Sequence, residues 1–94
     1  SLHYGVAKSA LHGFTLGLSK ELENTRVNCV APNAVKTNFQ KRLSSKKRIL
    51  NIIKKNKLGR MATTEEVAEL VVFLCSKKAS FINGEIIYMT GGLK

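Results

Sequence analysis

Tyr4 and Lys8 stand four residues apart in the run YGVAK, near the start of a stretch with helical spacing. Residues four apart on a helix lie one above the other on the same face. A free phenol, with a pKa of about 10, is a poor proton donor or base at neutral pH. A neighbouring ammonium favours the phenolate, and a helix N-terminus adds partial positive charge nearby. The pair therefore suits general acid–base chemistry: a proton delivered to a carbonyl oxygen in a reduction, or taken from an alcohol in an oxidation. The same spacing also describes a partly covered tyrosine beside a solvated lysine, so the elements around the pair have to decide.

Five elements can be read along the chain. Ala7, Leu11, Phe14, Leu18 and Leu22 form a helical row that predicts a helix over residues 4–24, with a stop at Asn24-Thr25. Gly13 and Gly17 share a face of it, a pairing that suggests close approach of another backbone. RVNCVA, residues 26–31, reads as a short strand buried on both faces and stopped by Pro32, with a loop over residues 32–39. Residues 39–56 set Phe39, Leu43, Ile49, Leu50, Ile52 and Ile53 among lysines: one basic amphipathic helix, or two short ones broken at Ser44-Ser45. Residues 63–76 form the clearest helix, opened by the capping-box pair Thr63 and Glu66 and apolar enough to be largely buried. EIIYM, residues 85–89, reads as a second strand, and Gly91-Gly92 as a loop. A strand followed by helices and then another strand is a parallel crossover unit.

Composition narrows the functional classes. The chain has 94 residues and 44% hydrophobic content, which is one domain or part of one, with a marginal core. No apolar run approaches the roughly 20 residues that span a bilayer, and no secretory leader is expected. Cys29 and Cys75 both sit in apolar runs and read as buried free thiols, which fits a reducing, cytoplasmic setting. Net charge is +10, and nine cations but no acid fall between Lys41 and Arg60. That window is either a solvated lysine-rich face or a contact for an anionic partner. Its aromatic content ends at Phe39, which argues against single-stranded nucleic acid.

Four blocks occur in order and in register: YGVAKSALHGFTLGLSKEL, RVNCVAPNAVKT, LGRMATTEEVAELVVFLCS and ASFINGEIIYMTGG. Together they resemble the C-terminal part of classical short-chain dehydrogenases/reductases, and most closely the 3-oxoacyl-(acyl-carrier-protein) and carbonyl reductases of that family. The resemblance covers nearly all of residues 1–94. It implies an α/β fold, the C-terminal fragment of a Rossmann-type doubly wound parallel sheet in the order helix, strand, helix, helix, strand. It implies NAD(P) as cofactor and reduction of a carbonyl, in a 3-oxoacyl thioester, a ketone or an aldehyde, to an alcohol.

Residue by residue, the resemblance makes Tyr4 the catalytic tyrosine and Lys8 the lysine that holds the nicotinamide ribose. Pro32, Asn33, Val35 and Thr37 fall in the segment that lies against the nicotinamide. Val35 would meet the carboxamide through its backbone, and Thr37 the carboxamide or pyrophosphate. The basic window matches the variable substrate lid. Three departures stand out. Ser1 lies too close to Tyr4 to be the family's catalytic serine, Asn33 stands where a glycine is usual and would take a left-handed turn, and Thr90 replaces a common aspartate. The glycine-rich phosphate loop of the N-terminal dinucleotide-binding part has no counterpart here. The expectation is therefore a chain inactive by itself that forms a homo-oligomer or joins a missing half. The alternative is a non-catalytic remnant serving as an oligomerisation module. Neither a membrane nor a nucleic-acid partner is expected.

Overall fold

In a computed structural model the chain is described over residues 2–37 and 45–92. Its elements are α1 (Leu2–Glu21), β1 (Cys29–Pro32), α2 (Lys46–Lys55), α3 (Thr64–Cys75), a short 3-10 helix (Lys77–Ala79) and β2 (Ile86–Met89). β1 and β2 form a two-stranded sheet. The Cys29 N–H donates to the Glu85 carbonyl at 2.8 Å and the Asn33 N–H to the Met89 carbonyl at 3.0 Å, so both strands advance in the same direction and the pairing is parallel. The expected order of helix, strand, helix, helix, strand holds.

The chain divides into two compact units, one of Ser1–Ala31 with Val72–Ile87, the other of Pro32–Val71 with Tyr88–Lys94. In the first unit α1 ends at Glu21, three residues before the expected stop, and the chain then bends through Asn24, which takes a left-handed φ of 56°. The side of α1 packed within this unit is not the apolar row. Thr15 is its buried residue, its hydroxyl donating back to the Leu11 carbonyl at 2.9 Å, while Leu11 and Phe14 are 53% and 62% exposed. Segment 72–87 can cover one side of a helix only, and Gly84 meets the side carrying Ser19. Nothing lies within 4 Å of a Cβ built on Gly13 or Gly17, so the close backbone approach they suggested is not made among the described residues.

The strand expected from Arg26 starts instead at Cys29. Its first three residues are tied down mostly by side chains, beside one backbone bond from the Gly84 N–H to the Val27 carbonyl at 2.8 Å. The Asn83 amide oxygen accepts from the Val27 N–H at 2.9 Å, the Asn28 amide oxygen accepts from the Glu85 N–H at 3.0 Å, and Asn28 donates to the Ile82 carbonyl at 2.9 Å. The Arg26 guanidinium adds bonds to the Ile82 and Ser76 carbonyls. Burial along β1 alternates: Cys29 and Ala31 are buried, Val30 and Pro32 only half-buried. The two-faced burial read from the sequence is thus not reached: one face of β1 is only partly covered among the described residues. Two further expectations fail for the same lack of cover. α3 buries Leu74, yet Val72 is 68% exposed, and Cys75 is exposed while Cys29 is buried.

In the second unit, α2 runs from Lys46 with Ser45 as its N-cap; the Ser45 hydroxyl accepts from the Arg48 N–H at 3.2 Å. Such a cap contributes about 1 kcal/mol. Of the amphipathic stretch expected over residues 39–56, residues 38–44 lie outside the described residues. The first turn of α2 holds Lys46, Lys47 and Arg48 and no acid. Each such cation opposes the positive end of the helix dipole by roughly 0.3–1 kcal/mol. The connection to α3 is held by Asn56, which accepts from the Gly59 N–H at 2.7 Å and donates to the Arg60 carbonyl at 2.9 Å. The Gly91 carbonyl accepts from both Lys57 and Leu58 N–H groups, at 2.8 and 3.1 Å, and fastens the end of β2 to that connection.

The capping box forms as read. The Thr63 hydroxyl accepts from the Glu66 N–H at 3.1 Å, and the Glu66 carboxylate accepts from the Thr63 N–H at 2.9 Å. Arg60 grips the same carboxylate through two bonds of 2.7 and 2.8 Å. The Arg60 hydrogen bond, then that of Thr63, pulls the Glu66 carboxyl from its ordinary 4.5 to about 2. A carboxyl lowered on folding adds stability above its unfolded value, and the gain disappears as pH falls through the folded value. Thermal melts are therefore expected to show a loss between pH 4.5 and about 2 that Glu66→Gln removes. Equal acid slopes for the two proteins would contradict this reading.

Candidate functional site

The residues singled out by the sequence divide between the two units. Tyr4 and Lys8 belong to the first and Pro32, Asn33, Val35 and Thr37 to the second. Both members of the first pair sit in the opening turns of α1, where the N-terminal amides leave partial positive charge. Tyr4 is 63% exposed, and the Lys8 ammonium stands over its ring at 5.1 Å from the centroid. This is the cation–π arrangement, worth about 0.5–1 kcal/mol at an exposed site. The helix period thus brings together the two side chains whose spacing first drew attention, with the ammonium on the ring face.

In the second unit Pro32 closes β1, and the Asn33 N–H is spent on the Met89 carbonyl. Asn33 has no left-handed φ; among the described non-glycine residues only Asn24 does. The Asn33–Met89 bond follows directly on Pro32, and the chain bends at Asn33 without a left-handed residue. Val35 forms an isolated parallel bridge with Ala62. The bridge uses the Ala34 carbonyl, which accepts from Ala62 N–H at 2.9 Å, and the Lys36 N–H, which donates to the Ala62 carbonyl at 2.8 Å. In such a bridge the central residue keeps its own N–H and C=O for the other side. Val35 thus offers one backbone donor and one acceptor together, the complement of a carboxamide with its C=O and NH₂.

A cavity of about 300 Å³ lies in the same unit, bordered by Asn33, Asn56, Arg60, Glu66 and Thr90 among others. That volume is at the small end for ligand pockets. Of these residues the sequence reading marked only Asn33 for a site. Thr90 was noted as a departure, Arg60 as one cation in a basic window, and Glu66 as a cap. Nothing in local spacing could show that they border one hollow, since they come together through the Gly91 clamp and the bridge to Ala62. Among the described residues no group of histidine, cysteine and carboxylate side chains could hold a metal, and no helix is long and apolar enough to cross a membrane.

Comparison with known proteins places these elements in a family. A family model described as Enoyl-(Acyl carrier protein) reductase matches residues 1–94. Dehydrogenase/reductase SDR family member 4 of Oryctolagus cuniculus is 47% identical over 92 residues, covering 95% of this chain and 35% of the relative. The 3-oxoacyl-(acyl-carrier-protein) reductase FabG of Aquifex aeolicus is 43% identical over 98 residues, covering 98% of this chain and 38% of the relative. Among solved structures, a short-chain dehydrogenase/reductase (glucose/ribitol dehydrogenase) from Brucella melitensis superposes with a TM-score of 0.89 at 39% identity, covering 98% of this chain and 38% of that one. L-sorbose reductase from Gluconobacter frateurii, solved with NADPH and L-sorbose, gives 0.82 at 30% identity, covering 96% of this chain and 39% of that one. The chain spans rather more than a third of the length of these relatives. Its parallel strand pair and helices are the corresponding piece of their Rossmann-type α/β fold. With a family model matched along its whole length and relatives above 40% identity, the chain belongs to the short-chain dehydrogenases/reductases.

Proposed function

We propose that this chain is the proton-transfer part of an NAD(P)-dependent oxidoreductase that reduces a carbonyl to an alcohol, with Tyr4 as general acid and, in reverse, general base. The observation that carries this reading is the Lys8 ammonium held over the Tyr4 ring on the exposed opening turns of α1. Tyr4 gives its phenolic proton to the substrate oxygen, and the nearby ammonium offsets the negative charge left behind. Lys8 also holds the nicotinamide ribose hydroxyls, for which an ammonium has three donors. The backbone of Val35 takes the carboxamide, a role its unspent donor and acceptor fit, and Pro32, Asn33 and Thr37 line the same segment. When bound, NAD(P)H supplies the hydride.

A 3-oxoacyl thioester, ketone or aldehyde is the substrate class, supported by relatives named as 3-oxoacyl-(acyl-carrier-protein) and L-sorbose reductases. The chain spans little more than a third of its relatives' length, and in this reading it works with the rest of a reductase, in an oligomer. The exposed Leu11 and Phe14 on α1 favour such association, and they would equally serve a non-catalytic remnant that only pairs with a reductase. The test is oxidation of NADPH with a β-ketoacyl thioester or a simple diketone, run on the native gene product and on the 94-residue chain. Turnover is expected from the first and none from the second. A gene product that binds no nicotinamide cofactor would favour the remnant, and turnover by the isolated chain would refute the division of labour.

A further inference from the structure

α2 carries a charge pattern that neither the proton transfer nor the cofactor contacts use. Lys46, Lys47, Arg48, Lys54 and Lys55 are all exposed, and α2 contains no acid. The one ion pair recorded among the described residues, Arg60–Glu66, lies outside it. The aliphatic side chains Ile49, Ile52 and Ile53 are half-buried, but Leu50 is 50% exposed. Leu50 stands between Lys46 and Lys54 on a single i, i+4 ridge, so it faces outward with the lysines. Three of the cations crowd the first turn, where the helix dipole opposes them. The first-turn cations cost the free helix, while Lys54 and Lys55 suit its C-terminal end, and the whole face gains from an anionic surface that also takes up a leucine.

We propose that the outer face of α2 docks on an anionic phospholipid surface, its lysines pairing with headgroup phosphates and Leu50 entering the boundary above the acyl chains. Two features select this occupant. Four of the five cations are lysines, compact charges suited to diffuse attraction by a fluid headgroup layer; fixed carboxylates on a folded partner are better met by the planar fork of arginine. Nucleic acid would satisfy the charges but has no use for the exposed leucine, and α2 holds no aromatic side chain on which a base could stack. Lysine stems can lie along the headgroup boundary beside Leu50 while their ammonium groups stay among the phosphates.

The experiment is flotation of the purified native gene product through a density gradient, which separates vesicle-bound protein from aggregates. The vesicles are equal parts phosphatidylglycerol and phosphatidylcholine, or phosphatidylcholine alone. The chain is expected to float with the anionic vesicles only, and less as salt rises. Lys47→Gln should lower the partition coefficient about fivefold, the share of one lysine near such a surface. Lys77→Gln, in the other unit, should leave it unchanged. Leu50→Ser should weaken vesicle binding without altering retention on duplex DNA. Failure to float, equal losses from Lys47→Gln and Lys77→Gln, or vesicle binding indifferent to Leu50→Ser would overturn the proposal. The residues assigned to proton transfer and cofactor contact lie outside α2, which falls in the segment matched to the substrate lid, so a failure of vesicle binding by itself leaves the proposed reaction standing.

Discussion

Tyr4→Phe is expected to lower kcat of the native gene product by about two to four orders of magnitude, the usual worth of a positioned acid or base. The change removes one hydroxyl and keeps the ring beneath the Lys8 ammonium, so the cation–π contact survives. Tyr4 is largely exposed, and a change at such a surface position shifts stability by no more than about 0.5 kcal/mol. The loss should therefore appear in kcat, with the KM for the nicotinamide cofactor and the melting temperature unchanged. Lys8→Met makes the complementary measurement. It keeps an unbranched chain over the ring but deletes the charge and its three donors, so it should raise the cofactor KM as well as lower kcat. A Tyr4→Phe protein within a few-fold of wild type would remove Tyr4 from the chemistry. A Lys8→Met protein with an unaltered cofactor KM would remove Lys8 from the ribose.

What the sequence made legible was local. The Tyr4–Lys8 stack follows from helix period alone, and the Thr63–Glu66 cap from a three-residue spacing, so both appear as read. The left-handed bend at Asn24 is equally local, a residue type that tolerates that region, although α1 itself ends three residues earlier at Glu21. What was not legible depended on which surfaces meet. Cys75 sits in an apolar run yet is exposed, and Leu11 and Phe14 belong to a regular apolar row that faces outward, because hydrophobicity marks surfaces that need cover without naming the cover. β1 starts late because Asn83 and Asn28 satisfy the backbone that a ladder would have used, and those bonds join residues more than fifty apart in the chain. The site shows the same division. Val35 was marked through the family resemblance. The physical reason it suits a carboxamide, a backbone donor and acceptor left over by the bridge to Ala62, needed the fold.

The largest effect expected on stability is at Gly84, and it follows from one of those long-range joins. Gly84 follows the segment tied by Asn83, and its N–H donates to the Val27 carbonyl at 2.8 Å. Its φ is 77°, a conformation costly for any side chain. A Cβ there would lie 2.7 Å from the Ser19 hydroxyl oxygen and 3.4 Å from the Ser19 Cβ. That hydroxyl is held by its bond to the Leu16 carbonyl at 2.8 Å, so it yields only by giving up a partner. Gly84→Ala is expected to cost about 1–3 kcal/mol, the range for a residue forced into such a backbone region. In a domain of this size each kcal/mol lowers Tm by roughly 4–8 °C. The two causes separate in a double-mutant cycle. Ser19→Ala leaves an ordinary contact at 3.4 Å in place of the clash, so Gly84→Ala should cost less in that background. The backbone penalty remains, so the rescue should be partial. No coupling between the two sites would mean that α1 does not press on this turn, and full rescue would mean that the left-handed backbone at Gly84 carries no strain of its own.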